Sequence, residues 1–135
     1  MNYWLLKSEP SCWSWDQQRQ KGIEPWDGVR NYQANNFMKQ MQSGDLAFFY
    51  HSVKNPQIMG VVEIMCSFYP DPAHSPFGYV DVKYMLSLKQ PVTLRQIKAD
   101  ENLSHLLLLK QSRLSVMPID SVSWHHILDL AQTKI

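Results

Sequence analysis

The chain has 135 residues, 44% hydrophobic and 19% charged, with 13 Lys or Arg against 12 Asp or Glu. This composition excludes a disordered tail, a collagen-like repeat and a coiled coil, and the length predicts one domain, residues 1–135, burying roughly 65–70% of its unfolded surface. A net charge of +1 is low for a protein that grips long nucleic acid through phosphates, so any nucleic-acid site should be small.

Tyr3 to Lys7 reads as a short buried strand, ended by Ser8-Glu9-Pro10. Ser14 and Gln17 have capping-box spacing, which predicts a helix over Ser14–Gln20 with Gly22 as its stop. Trp26 to Asn31 reads as a loop with a turn at Asp27-Gly28. Asn31 can cap a second helix, whose apolar stripe is Ala34, Phe37, Met38 and Met41. Gly44 closes it. Strands follow at Asp45–Ser52 and Ile58–Met65, with a bend or close approach expected at Gly60. Ser67 to Gly78, rich in proline and containing His74, reads as a long loop. Tyr79–Leu88 alternates as a half-exposed antiparallel strand.

Thr93 and Gln96 form a second capping box for a helix through Lys98. Asp100–Lys110 reads as a helix and Arg113–Met117 as a last strand, broken by Pro118. From Asp120, the stripe Trp124, Ile127, Leu128 and Ala131 marks a final helix. Short helices among antiparallel-type strands indicate α+β, with a small curled or closed sheet.

No apolar run approaches a membrane span, and the N-terminus lacks the pattern of a signal peptide. A cytoplasmic protein is expected, or a nuclear one in a eukaryote. Cys12 and Cys66 have no metal-type spacing and read as reduced, partly buried thiols. No cofactor or metal site is expected. His125 and His126 are adjacent on a helix, so they point about 100° apart and share a metal poorly. No nucleophile elbow, P-loop or dinucleotide fingerprint is present.

Trp4 and Trp124 lie on periodic apolar faces and read as core. Trp26 sits in the loop beside Gly28, Arg30 and Asn31. There it could stack a planar ring, or simply plug the end of a barrel.

Tyr3-Trp4-Leu5-Leu6-Lys7-Ser8-Glu9-Pro10, then Trp26-Asp27-Gly28-Val29-Arg30-Asn31-Tyr32-Gln33-Ala34, resemble the first two blocks of the EVE domain. Gly44-Asp45 with Phe48-Phe49-Tyr50-His51-Ser52 is similar to its third. Val80-Asp81-Val82, Pro91-Val92-Thr93-Leu94 with Ile97-Lys98, and Arg113-Leu114-Ser115-Val116 with Pro118 continue the order. The resemblance covers about residues 2–130, and extends to the thymocyte nuclear protein 1-like branch. It implies a PUA-like fold: a small, mostly antiparallel β-barrel flanked by short helices. It also implies a non-enzymatic reader that takes a flipped, modified base into an aromatic-walled pocket.

Carried onto this chain, that pocket gathers Lys7, Ser8 and Glu9, then Trp26, Arg30 and Asn31, then Tyr50, His51 and Ser52, with Tyr79, Arg113 and Ser115. Many relatives carry Trp in place of Tyr79, and Arg in place of Asn35, where the arginine would offer a phosphate contact. The partner implied is a modified nucleobase, in DNA or RNA, within a short or single-site nucleic acid, bound by a monomer. The alternative is a hydrolase or other enzyme on a nucleotide-like small molecule, with His51 as base and Glu9 as orienting acid.

Overall fold

The computed structural model describes residues 1–71, 73 and 76–135. Six strands form one sheet: β1 (Tyr3–Ser8), β2 (Ile23–Trp26), β3 (Leu46–His51), β4 (Gln57–Pro70), β5 (Gly78–Thr93) and β6 (Val116–Ile119), in the order β2-β5-β4-β3-β1-β6. Five helices accompany it: α1 (Trp15–Lys21), α2 (Tyr32–Gln40), α3 (Leu94–Lys98), α4 (Leu107–Lys110) and α5 (Ser121–Leu130). None of the helices is long and apolar enough to cross a membrane.

The α+β reading holds; the closed barrel does not. β2 and β6 are the two free edges of an open sheet. β1 and β3 pair in parallel, and the other neighbours are antiparallel. The sheet is nonetheless strongly curled. Trp26, on edge strand β2, meets the Phe49 ring of β3 edge-on at 5.4 Å. Three strand steps separate them in a flat sheet, about 14 Å. Their register differs as well: Trp26 pairs with Val80, while Phe49 pairs with Gly60 and so with Ser87. That is a further 23 Å or so along β5 at ordinary strand rise. Only a bent β4–β5 ribbon closes both gaps, and four register shifts between these strands supply the bend.

At one of those shifts lies Gly60, packed against Trp15. A Cβ there would fall 2.0 Å from Cζ2 of the indole. The close approach expected at this glycine is therefore real. Trp15, Phe48, Phe49, Ile58, Ile64 and Trp124 are all buried, each contributing roughly 1.5–3 kcal/mol through burial. The predicted stripes face the core: Ala34, Met38, Met41, Trp124, Ile127, Leu128 and Ala131 are buried, with Phe37 half-buried. Both capping boxes form, and Asn31 and Asp120 cap α2 and α5.

Several local expectations are corrected. Trp26 ends strand β2 and is not a loop residue, because pairing with β5 overrides the turn signal after it. β4 runs on through Pro70, so only part of the expected Ser67–Gly78 loop is irregular; His74 lies outside the described residues. The expected Asp100–Lys110 helix is broken. Asp100 caps a single 3-10 turn over Glu101–Leu103, and Leu106 is extended before α4 starts. The last strand is Val116–Ile119, with Arg113 in a preceding turn. Pro118 lies inside it because β6 is an edge strand, where one side needs no ladder donor. Cys12 and Cys66 are exposed free thiols, not partly buried ones.

Candidate functional site

β1 and β3 run in parallel and end together, with Ser8 beside His51. The segment leading into β6 arrives on the other flank of β1, where the Lys7 N–H donates to the Ser115 carbonyl at 2.9 Å. The Lys7 ammonium turns over the same flank. It donates to the Ser112 carbonyl at 2.8 Å and stands 5.8 Å from the centre of the Tyr50 ring. Burial pulls its pKa down and pushes that of Tyr50 up to about 12. Lys7 is thus a cation held at the rim by a backbone acceptor and an aromatic face.

Next to it opens a cleft of about 330 Å³ lined by Asn31, Gln33, Lys110, Gln111, Ser112, Arg113 and Leu114. It joins the start of α2 to the turn before β6. Among the described residues, no ion pair involves Lys7, Arg30, Lys110 or Arg113. Four cations from four segments therefore keep their charge available around one small concavity.

Arg30 is exposed and donates to the Val29 carbonyl at 2.8 Å. Tyr79, at the start of β5, meets Tyr69 edge-on at 5.6 Å. Burial raises its pKa, as do a hydrogen bond to Asp71 and the charges of Asp71 and Asp27, while Arg30 acts in the opposite sense. The bent β4–β5 ribbon thus delivers Tyr79 to the Asp27–Arg30 loop. The ribbon is tied to α2 by the Gly78 N–H, which donates to Oδ1 of Asn35 at 3.1 Å. Asn35 is buried for this purpose, and its position is not the surface site that a phosphate contact needs.

Other expected pocket residues are occupied within the fold. The Asn31 side-chain oxygen caps α2 through the Ala34 N–H at 2.9 Å, which leaves its amide NH₂ free to donate. The Ser8 hydroxyl donates to the Trp13 carbonyl, and the Ser8 carbonyl accepts the Ser52 N–H at 2.9 Å. Nε2 of His51 accepts the Trp15 N–H at 2.9 Å, and burial lowers the pKa of the ring. Glu9 is exposed, and no hydrogen bond among the described residues joins it to His51. Trp26 is 7% exposed and belongs to the hydrophobic core, so most of its indole is packing surface.

Sequence reasoning missed Gln33, Lys110 and Ser112. Lys110 closes what reads as an ordinary Leu-rich helix, and only the break at Leu106 turns that segment toward Asn31.

The family profile described as EVE domain matches residues 2–130. The mouse protein "Thymocyte nuclear protein 1" is 33% identical over 174 aligned positions, covering 98% of this chain and 75% of that protein. The solution structure of Rpa0253 from Rhodopseudomonas palustris superposes with a TM-score of 0.93 at 46% identity, covering 98% of this chain and 94% of the other. Human THYN1, solved in complex with 5-methylcytosine-containing DNA, superposes with a TM-score of 0.86 at 29% identity over the whole of both chains.

Proposed function

The chain belongs to the EVE domain family, and we propose that it is a reader of a modified nucleobase in DNA. The observation that carries this reading is the full-length match to a structure solved with 5-methylcytosine-containing DNA. The cleft beside Lys7 supports it, because uncommitted cations there can hold the phosphates flanking one base. Lys7, Lys110, Arg113 and Arg30 are the proposed phosphate contacts. The free amide of Asn31 is the proposed donor to the base edge, and Tyr79 a wall. Ser8, Glu9, Tyr50, Ser52 and Ser115 frame the rim, with His51 and Trp26 behind it. A small cleft suits the near-neutral total charge: affinity must come from one base and its neighbours, not from a long phosphate track.

The hydrolase reading loses support from the same geometry. The Nε2 lone pair of His51 is engaged by a backbone N–H, and Glu9 does not orient the ring. Equilibrium binding to matched duplexes, each with one modified base or none, tests the proposal. A preference of roughly tenfold for a modified duplex is expected, on the scale of a few discriminating contacts. Equal affinity for all duplexes, or nucleotide turnover that depends on His51, would overturn it.

A further inference from the structure

The loop leaving β3 carries a conformation that its sequence does not favour. Val53 has φ of 73°, and Asn55 has φ of 48°. The Lys54 N–H donates to the Ser52 carbonyl at 3.0 Å, two residues back, closing a γ-turn about Val53. That φ is the rare, strained hand of the turn. A β-branched residue is among the least suited to it, whereas glycine adopts it freely. The Val53 side chain is also 75% exposed, so burial within the free protein offsets little of the strain. An apolar side chain is being presented to solvent by a costly turn, the kind of outlier that points to function.

Its position gives the reason. The Ser52 N–H is bound to the Ser8 carbonyl, which fixes the turn to the end of β1 beside the candidate site. The sheet order places the exit of β3 between two groups of cations. Lys7 and Arg113 lie on the β1–β6 side. Arg95 and Lys98 lie on the β4–β5 side, where they line a largely apolar cleft with Asn55 and Leu94. None of these four cations is in an ion pair among the described residues. Glu9 follows Ser8, and Asp16 acts on His51, so this end also carries negative charge.

We propose that Val53 is a wedge that enters a DNA duplex at the place vacated by the extruded modified base, with Arg95 and Lys98 holding the backbone on the far side. This rests on the modified-base reading and deepens it. Extruding a base leaves an unstacked gap, and small apolar side chains inserted at base steps fill such gaps. A single strand has no such gap to fill.

The test compares wild type with Val53→Gly and Val53→Ile. Each is titrated with a duplex bearing one 5-methylcytosine, the same duplex unmodified, and the modified strand alone. Val53→Gly should keep or raise thermal stability, since it relieves the turn. It should weaken binding to the modified duplex about tenfold while leaving single-strand affinity within about twofold. Val53→Ile should retain duplex binding. Undiminished duplex binding by Val53→Gly, or equal losses on duplex and single strand, would overturn the wedge while the base reading stands. A wild-type protein indifferent to the modification would remove both.

Discussion

Nε2 of His51 accepts the backbone N–H of Trp15 at 2.9 Å, across 36 positions of sequence. Trp15 opens α1, where the first N–H groups lack helical partners, and Ser14 already serves Gln17. A ring on β3 thus completes the cap of a helix packed over it. In the neutral imidazole that does so, the proton sits on Nδ1.

This bond makes stability depend on pH. Burial lowers the His51 pKa from 6.5, opposed by the charge of Asp16. Between the lowered folded value and 6.5 the unfolded chain binds more protons, so stability rises with pH there. The contribution is complete above 6.5 and is lost as pH falls through the folded value. His51→Ala should cost about 1–3 kcal/mol at neutral pH by orphaning the Trp15 N–H, and should flatten that part of the profile. Urea melts of both proteins over a pH series measure this. The difference between them isolates His51 from His105 and His126, which are paired with Asp120 and Asp100.

Asn31 has two roles that one pair of variants can separate. Asn31→Ala removes the α2 cap and should cost about 1 kcal/mol. Asn31→Asp keeps a capping oxygen, and a negative charge suits a helix N-terminus. The same variant removes the amide donor and adds a negative charge to the cleft. It should melt like wild type and bind modified DNA at least tenfold more weakly, a pattern that thermal melts and anisotropy titrations distinguish. Unchanged binding by Asn31→Asp would reduce Asn31 to a cap.

Arg113 is exposed, lies in a turn and is in no ion pair among the described residues. Arg113→Ala should therefore leave stability within about 0.5 kcal/mol. If the guanidinium neutralises a phosphate, the slope of log affinity against log salt should fall by about 0.9. Modified and unmodified duplexes should weaken alike, because a phosphate contact carries no base information. Loss confined to the modified duplex would instead place Arg113 at the base.

Trp26 packs edge-on against Phe49 with 7% of its surface exposed. Trp26→Ala should destabilise the fold by about 3–5 kcal/mol, measured by denaturant melts, because it opens a cavity where the curled sheet meets itself. Trp26→Phe should recover much of that stability. An unaltered melting profile for Trp26→Ala would show that the indole serves a site and not the core.

The sequence by itself determined what is local or periodic. Both capping boxes, the caps at Asn31 and Asp120, the inward stripes of α2 and α5 and the tight place at Gly60 follow from spacing and side-chain chemistry. The ordered motif blocks likewise identified the family across residues 2–130. The tertiary structure alone decided how those pieces meet. Strand β2, the continuation of β4 through Pro70 and the open edges depend on pairing between distant segments, which no local pattern encodes. The site shows the same division. Lys7, Arg30, Asn31 and Arg113 were legible because motif residues mark them. Lys110 and Ser112 were not, since their place beside Asn31 depends on a helix broken at Leu106. Nor could sequence separate the two readings of Trp26. Its burial is set by a ribbon that bends through four register shifts to bring β2 onto β3, and curvature of that kind arises from the packing of the whole sheet.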